Sequence, residues 1–315
     1  MTTVDALPKA ELHIHIEGSL EPQMLLDLSL RNKVAIKYTS LAEIKQAYNF
    51  ANLQEFLDIY YQGMSVLISE QDFFDLTYAY LVKAHQDNVT HSEIFFDPQG
   101  HLPRGISLQT IFNGMNAAIK RANSEFGIVT SIIPCFLRHL SEDDALRTFE
   151  KLMDYRDNFI GIGLDSSELG NPPSKFKNLF ETARKEKLKL VAHAGEEGPA
   201  NYVWEAVDVL GVDRIDHGDA IAADEELIRR VVRDQLALTM CPLSNRCLQV
   251  VPDLSEHMAL RLLDKGVKVT LNSDDPAYFG GYINDNYREL ATKLNLSAAN
   301  LELFAKNSLD ARFVK

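Results

Sequence analysis

Several things are scarce in this chain of 315 residues, and each scarcity excludes something. There are three cysteines, Cys135, Cys241 and Cys247, too few and too odd in number for a disulfide framework. No apolar run is long enough to cross a bilayer. Basic residues are in deficit. Lys and Arg number 32 against 45 Asp and Glu, a net charge of −13, which argues against binding the phosphate backbone of a nucleic acid and against an anionic membrane surface. The opening MTTVDALPKAEL has no basic stretch leading into an apolar one, the pattern of a secretory leader. The expectation is a soluble cytoplasmic protein in a reducing compartment.

Chemical signatures are missing too. No G-x-G-x-x-G follows the first candidate strand, so a dinucleotide fold is disfavoured. There is no H-E-x-x-H for zincin-type proteolysis and no G-x-S-x-G elbow. His15-Ile16-Glu17 resembles the H-x-E of the small zinc deaminases, but those also need P-C-x-x-C. Cys241 and Cys247 are six apart, so they read as packing residues.

What is present is an alternation. Short apolar runs at 9–16, 89–97, 127–137, 160–165, 188–193, 213–217, 236–241 and 267–272 are rich in Val, Ile and Leu, as strands covered on both faces are. Amphipathic segments at 53–87, 106–124, 141–155, 175–187, 200–210, 223–234, 255–265 and 285–312 read as helices. Eight strands with helices between them predict an α/β fold, a (β/α)₈ TIM barrel, with a doubly wound open sheet as the alternative. Hydrophobic residues make up 46% of the chain, enough for one large core, and the whole chain reads as a single domain. Residues 20–88 are too many for one crossover helix and predict a helical insertion capping the barrel mouth.

A barrel carries its chemistry at the C-terminal ends of its strands. His13 and His15 close strand one, and, being two apart, project to the same face. His193-Ala194-Gly195-Glu196 follows strand five, Asp216-His217-Gly218 ends strand six, and Ser273-Asp274-Asp275-Pro276 follows strand eight. Each has a plainer reading. The histidines suit a hydrogen-bonded core, Ser273 and Asp274 an N-cap, Glu196 a solvated side chain beside Glu197, and His217 a partner for Asp216. Together, three imidazoles and a carboxylate at converging strand ends suit a borderline divalent metal such as zinc.

The motifs PKAELHIHIEGSLEP, VAHAGE, RIDHG, CPLSN and LNSDDP, in that order from about residue 7 to 310, resemble the adenosine/adenine deaminase branch of the metal-dependent amidohydrolases. The resemblance implies a (β/α)₈ barrel with one Zn²⁺ per chain, held by His13, His15, His193 and Asp274. It implies Glu196 as proton donor, His217 as the residue orienting the attacking hydroxide, and Asp275 as the contact to purine N7. The implied reaction replaces the C6 amino group of a purine by oxygen. An acceptor N7 would require Asp275 to be protonated, or N7 itself.

Two departures bear on the substrate. The nucleoside enzymes typically read H-x-D-G, whereas here the stretch is His15-Ile16-Glu17-Gly18, whose longer side chain is expected to intrude on sugar space. In place of their D-L-A-G-D-E-like stretch stands GLDSSELGNPPSKF, in which Ser166, Ser167 and Glu168 are candidate contacts to the base edge or to the space left by the missing ribose. Both resemble the adenine deaminase subgroup. The expected activity is therefore hydrolysis of adenine, a small-molecule purine base, to hypoxanthine and ammonia in purine salvage. An N6-substituted adenine or adenosine is the alternative substrate, and a non-catalytic metal-containing purine-binding protein the distant one. Iron, cobalt or manganese would also suit the ligand set, and the oligomeric state cannot be read from these residues.

Overall fold

The computed structural model describes residues 4–50 and 53–315. Eight parallel strands run in sequence order around one sheet: β1 (Lys9–His15), β2 (Val89–Phe96), β3 (Val129–Leu137), β4 (Gly161–Asp165), β5 (Lys189–Ala194), β6 (Arg214–His217), β7 (Ala237–Met240) and β8 (Lys268–Leu271). The ring closes just beyond β8. The Asp274 N–H donates to the His13 carbonyl at 3.1 Å, and the His15 N–H donates to the Asp274 carbonyl at 3.0 Å. A (β/α)₈ barrel is thus what the strand pattern builds, and a seam residue of the barrel is also a candidate ligand.

The strands are continuous apolar runs because both faces are covered. Ile14 and Ile16 are fully buried in the main core, outside the barrel wall, with side chains such as Ile94 and Leu271. Inside the barrel, Phe95, Ile133, Cys135 and Val191 form a separate small cluster. Below them the buried Arg214 Nη1 donates to Glu93 Oε2 at 2.5 Å and its Nη2 to the Leu12 carbonyl at 2.9 Å, so this interior charge is paired. All three cysteines are free. Among the described residues, no helix is long and apolar enough to cross a membrane.

Two expected helices prove to be pairs. The 53–87 segment divides into Leu53–Met64 and Glu70–Gln86, because the Ser69 hydroxyl accepts from the Asp72 N–H and the Asp72 carboxylate accepts from the Ser69 N–H, a capping box that starts a new helix. The 285–312 segment divides into Ile283–Leu294 and Ala298–Ala311, with Asn295 left-handed at one end and Ser297 capping the next. The helix Glu70–Gln86 packs in the outer ring, against β2 and the helix Leu108–Phe126. The helix Leu53–Met64 instead sits over the strand ends. There Leu53, Phe56, Leu57, Tyr60 and Met64 pack with Leu243, Leu248, Leu254, Tyr278 and Phe279, a cluster distinct from the main core.

Candidate active site

The cavity under that helix lies at the C-terminal ends of the strands. Its walls are His15, Asp97, Asp165, Ser166, His193, Glu196, His217, Asp274 and Asp275, and its roof is Leu53, Phe56, Leu57, Tyr60, Tyr61, Leu248 and Phe279. The backbone is bent to place these groups. Ser166, His217 and Asp274 all have positive φ, at 74°, 61° and 63°, although none is glycine. Such a residue costs on the order of 1–3 kcal/mol, and each here lies at a strand end, at the cavity. The left-handed turn at His217 breaks the strand alternation, so that both Asp216 and His217 serve the site.

Hydrogen bonds set the imidazole tautomers. The Thr239 hydroxyl donates to Asp216 Oδ1 at 2.9 Å, leaving its oxygen to accept the Nδ1–H of His13 at 2.9 Å. The Nε2 lone pair of His13 therefore faces Asp274 Oδ1, 3.2 Å away. Asp165 Oδ2 lies 3.5 Å from His15 Nδ1, and Asp216 Oδ2 lies 3.7 Å from His193 Nδ1. Each histidine thus has an acid behind it and turns its Nε2 inward, the arrangement by which proteins orient metal-binding imidazoles.

A divalent cation fits these residues. His15 Nε2 and His193 Nε2 are 3.1 Å apart, and His15 Nε2 is 3.5 Å from Asp274 Oδ1. With the 3.2 Å from His13 these spacings bracket the edge, about 3.3 Å, of a tetrahedron with bonds of about 2.0–2.1 Å. Among the described residues, the buried His13 Nε2 has no hydrogen-bond partner. Electrostatics agree. Burial pushes His15 down to about 4 and, with the neighbouring imidazoles, His193 well below its ordinary value, so both are neutral donors. At His13 burial also acts downward, but Asp274 outweighs it and the net shift is upward. At Asp274 burial acts upward, yet the surrounding imidazoles hold it well below the usual carboxylate range. The cluster attracts one positive charge to its centre. His217 is also within reach, grouping with His13, His193 and Asp274, and its Nε2 faces Glu196 Oε2 at 3.6 Å.

The acids beside the candidate metal ligands are shifted upward. Burial, then the charge of Asp274, raises both Glu196 and Asp275 well above the ordinary carboxyl range. Burial takes His217 down to about 3, leaving it neutral. Gly18 makes room for Asp275, since a Cβ there would lie 1.9 Å from Asp275 Oδ1. Gly18→Ala is expected to displace Asp275 and lower kcat/KM by about 10²-fold with the metal content unchanged, because an ångström of misplacement costs that much. Steady-state kinetics with metal analysis checks it.

Several sequence expectations meet a different placement in the structure. Glu17 does not line the cavity: the short turn Glu17–Ser19 carries it sideways towards the end of β2. There its Oε1 accepts from the Asp97 N–H at 3.1 Å and from His101 Nε2 at 2.8 Å. The His101 hydrogen is on Nε2 because its Nδ1 accepts from the Arg104 guanidinium at 2.7 Å. Glu168 does not face a base edge either; its carboxylate turns to the loop after β5. Ser166 does line the cavity, but its hydroxyl is engaged by Tyr61 Oη at 3.0 Å and His139 Nδ1 at 2.8 Å, joining roof to wall. Ser167 is absent from the lining, and its carbonyl accepts from Asn171. The plainer reading of His217 as partner of Asp216 also fails, since Asp216 pairs with Thr239.

The sequence reading missed Asp97 and Asp165, at the ends of β2 and β4. Both line the cavity. Burial raises Asp97 well above its ordinary value and takes Asp165 to about 7. Their positions at strand ends were the available signal. Among the described residues, Asp97 Oδ1 and Tyr60 Oη are buried without a hydrogen-bond partner.

Comparison with known proteins follows this geometry. The profile of the family described as adenosine deaminase matches residues 8–315. An adenine deaminase of Zymomonas mobilis is 56% identical over 311 residues, covering 99% of this chain and 92% of its own. The crystal structure of an adenine deaminase from Arthrobacter aurescens superposes with a TM-score of 0.96 at 46% identity, covering 98% of this chain and 95% of that one. An amidohydrolase from Burkholderia ambifaria, solved with bound zinc, gives 0.90 at 27% identity, covering 99% and 87%.

Proposed function

The chain belongs to the adenosine deaminase family, and from that premise we propose that it hydrolyses adenine to hypoxanthine and ammonia. The observation that carries the reading is the pairing, in one enclosed cavity, of a cation-attracting cluster with two protonated carboxyls, Glu196 and Asp275. The adenine deaminases of Zymomonas and Arthrobacter support the base as substrate. A place in purine salvage is consistent with that reaction.

In this reading His13, His15, His193 and Asp274 hold one zinc ion. Zinc supplies Lewis acidity, which lowers the pKa of water towards neutrality. The rest falls to the protein. Neutral His217, with Nε2 in the same space, takes a hydrogen bond from the attacking water and aims it at C6. Glu196 gives its proton to N1 as the ring loses aromaticity. The Asp275 O–H donates to N7, which in a neutral purine is an acceptor. The water oxygen bonds to C6; one of its protons passes by way of His217 to the amino group, the C6–N bond breaks to release ammonia, and the other proton returns to Glu196 as the C6 carbonyl forms. The roof excludes water, which strengthens each of these interactions. We take the whole chain as one catalytic domain, with the helix Leu53–Met64 as its lid.

Selectivity for the free base does not come from Glu17 filling sugar space. Glu17 acts through Asp97, whose backbone it holds and whose carboxyl lines the wall. Side-by-side assays of adenine, adenosine and N6-methyladenine, following ammonia and amine release, test the assignment. Adenine is expected to exceed adenosine in kcat/KM by about 10²-fold or more. A preference for adenosine would overturn the base assignment, and faster release of methylamine than of ammonia would move it to N6-substituted bases.

A further inference from the structure

Glu168 takes no part in the steps above, yet it is 1% exposed and accepts more backbone hydrogen bonds than any other side chain at the site. Its Oε1 accepts from the Gly195 N–H at 2.6 Å, and its Oε2 from Glu196, Glu197 and Gly198 at 3.0, 3.0 and 2.8 Å. Consecutive amides converging on one anion form a nest, a feature that elsewhere receives phosphates and other external anions. Here the anion is built in, delivered from the loop after β4 to the loop after β5.

Two glycines make the arrangement possible. Gly195 adopts φ 75°, the left-handed turn that lets Glu196 re-enter the cavity after His193. At Gly198 a Cβ would lie 2.6 Å from the Glu168 carboxyl, so only glycine lets that amide approach. Arg138 secures the other side, its Nη1 donating to the His193 carbonyl at 2.6 Å and its Nε to the Asn171 carbonyl at 2.9 Å. The strand end bearing His193 is thus held by Arg138, and the loop bearing Glu196 by Glu168.

We infer that Glu168 is a positioning residue for Glu196: by gathering the amides of residues 195–198 it sets where the Glu196 carboxyl meets the purine. The inference rests on the proposed role of Glu196 as proton donor. Without Glu168, four amide hydrogens lose their acceptor, so the loop must move to satisfy them, and Glu196 moves with it.

The test uses the metal-loaded full chain with Glu168→Gln, Glu168→Ala, Glu196→Gln and the double variant Glu168→Gln/Glu196→Gln. Glutamine keeps the shape but puts an NH₂ against amide donors. It is expected to retain metal, hold KM within about threefold and lose about 10²-fold in kcat, the cost of misplacing a reacting group. Because Glu168 acts through Glu196, Glu168→Gln should cost less than about twofold more in the Glu196→Gln background. Formate, an anion small enough for the vacated nest, should restore part of kcat to Glu168→Ala where equal chloride does not; loss of fold stability alone would not respond this way. Should Glu168→Ala fail to fold, the isosteric glutamine carries the test. Metal-loaded Glu168→Gln with kcat within about twofold of the parent, or losses that multiply in the double variant, overturns the inference. A Glu196→Gln enzyme of near-native rate instead overturns the proton-donor reading, and this role with it.

Discussion

Glu196→Gln is expected to keep its metal and its affinity for purine and to lose about 10³–10⁴-fold in kcat, the upper range for removing a general acid. The substitution is chosen because it separates shape from proton. Glutamine fills the same space at the loop between Gly195 and Gly198, and its NH₂ can still donate a hydrogen bond to N1. It cannot transfer the proton. Glu196 is suited to that transfer because burial and the nearby charge of Asp274 raise its carboxyl well above the range of an exposed glutamate. The neighbouring His217, neutral and 3.6 Å away at Nε2, does not compete for the role of acid. The loss corresponds to roughly 4–5.5 kcal/mol of transition-state stabilisation. Single-turnover rates with adenine, alongside zinc content and an inhibitor or product dissociation constant, measure it. A variant that holds metal and turns over within about tenfold of the parent would remove Glu196 from the acid's role.

The split between what could and could not be read from the sequence follows a physical line. Strands covered on both faces must be apolar throughout, so all eight were visible and their bounds differ by a residue or two from those observed. The rule that barrel chemistry sits at strand ends then placed His13, His193, Glu196, His217 and Asp274 together, although they span the chain from β1 to beyond β8. Side-chain direction beyond a strand end was not visible, because there the period of two stops applying. His217 and Asp274 reach the cavity through left-handed backbone that no glycine advertises. Glu17 and Glu168, each just past a strand, were both expected to face the substrate. One instead accepts from the Asp97 amide and the other from a loop 27 to 30 residues away in sequence. Asp97 and Asp165 were within reach of the strand-end rule but were passed over, since a single Asp after a strand is ordinary turn chemistry. The break at Ser69 was signalled by its own capping box, hidden within a longer amphipathic pattern.

Removal of the metal should abolish adenine hydrolysis while leaving the barrel folded, and one equivalent of Zn²⁺ per chain should restore it. The fold does not depend on the ion, because its core is the apolar packing around and inside the barrel rather than the ligand cluster. The cluster is nonetheless arranged at a cost. Among three buried imidazoles and a carboxylate, His15 Nε2 lies 3.1 Å from His193 Nε2, and Asp274 Oδ1 lies 3.2 Å from His13 Nε2 and 3.5 Å from His15 Nε2, with Asp165, Asp216 and Thr239 behind the rings. In the absence of a cation these groups repel or go unpaired, so an ion that binds only the folded chain adds stability by mass action, about 4 kcal/mol at a thousandfold excess over its Kd. For a chain of this size that amounts to roughly 5–10 °C in Tm. Thr239→Val should reproduce part of the effect, loosening metal binding by about 10–100-fold, because His13 then loses the acceptor that keeps its hydrogen on Nδ1. Metal analysis, melting curves and activity on the same chelated and reconstituted samples decide the matter. Protein shown to be metal-free that still deaminates adenine at the parent rate would refute a metal-dependent mechanism. A Tm unmoved by chelation would show instead that the cluster is stable without its ion, and that the Nε2 atoms of His15 and His193 share a proton across their 3.1 Å contact rather than meeting at a cation.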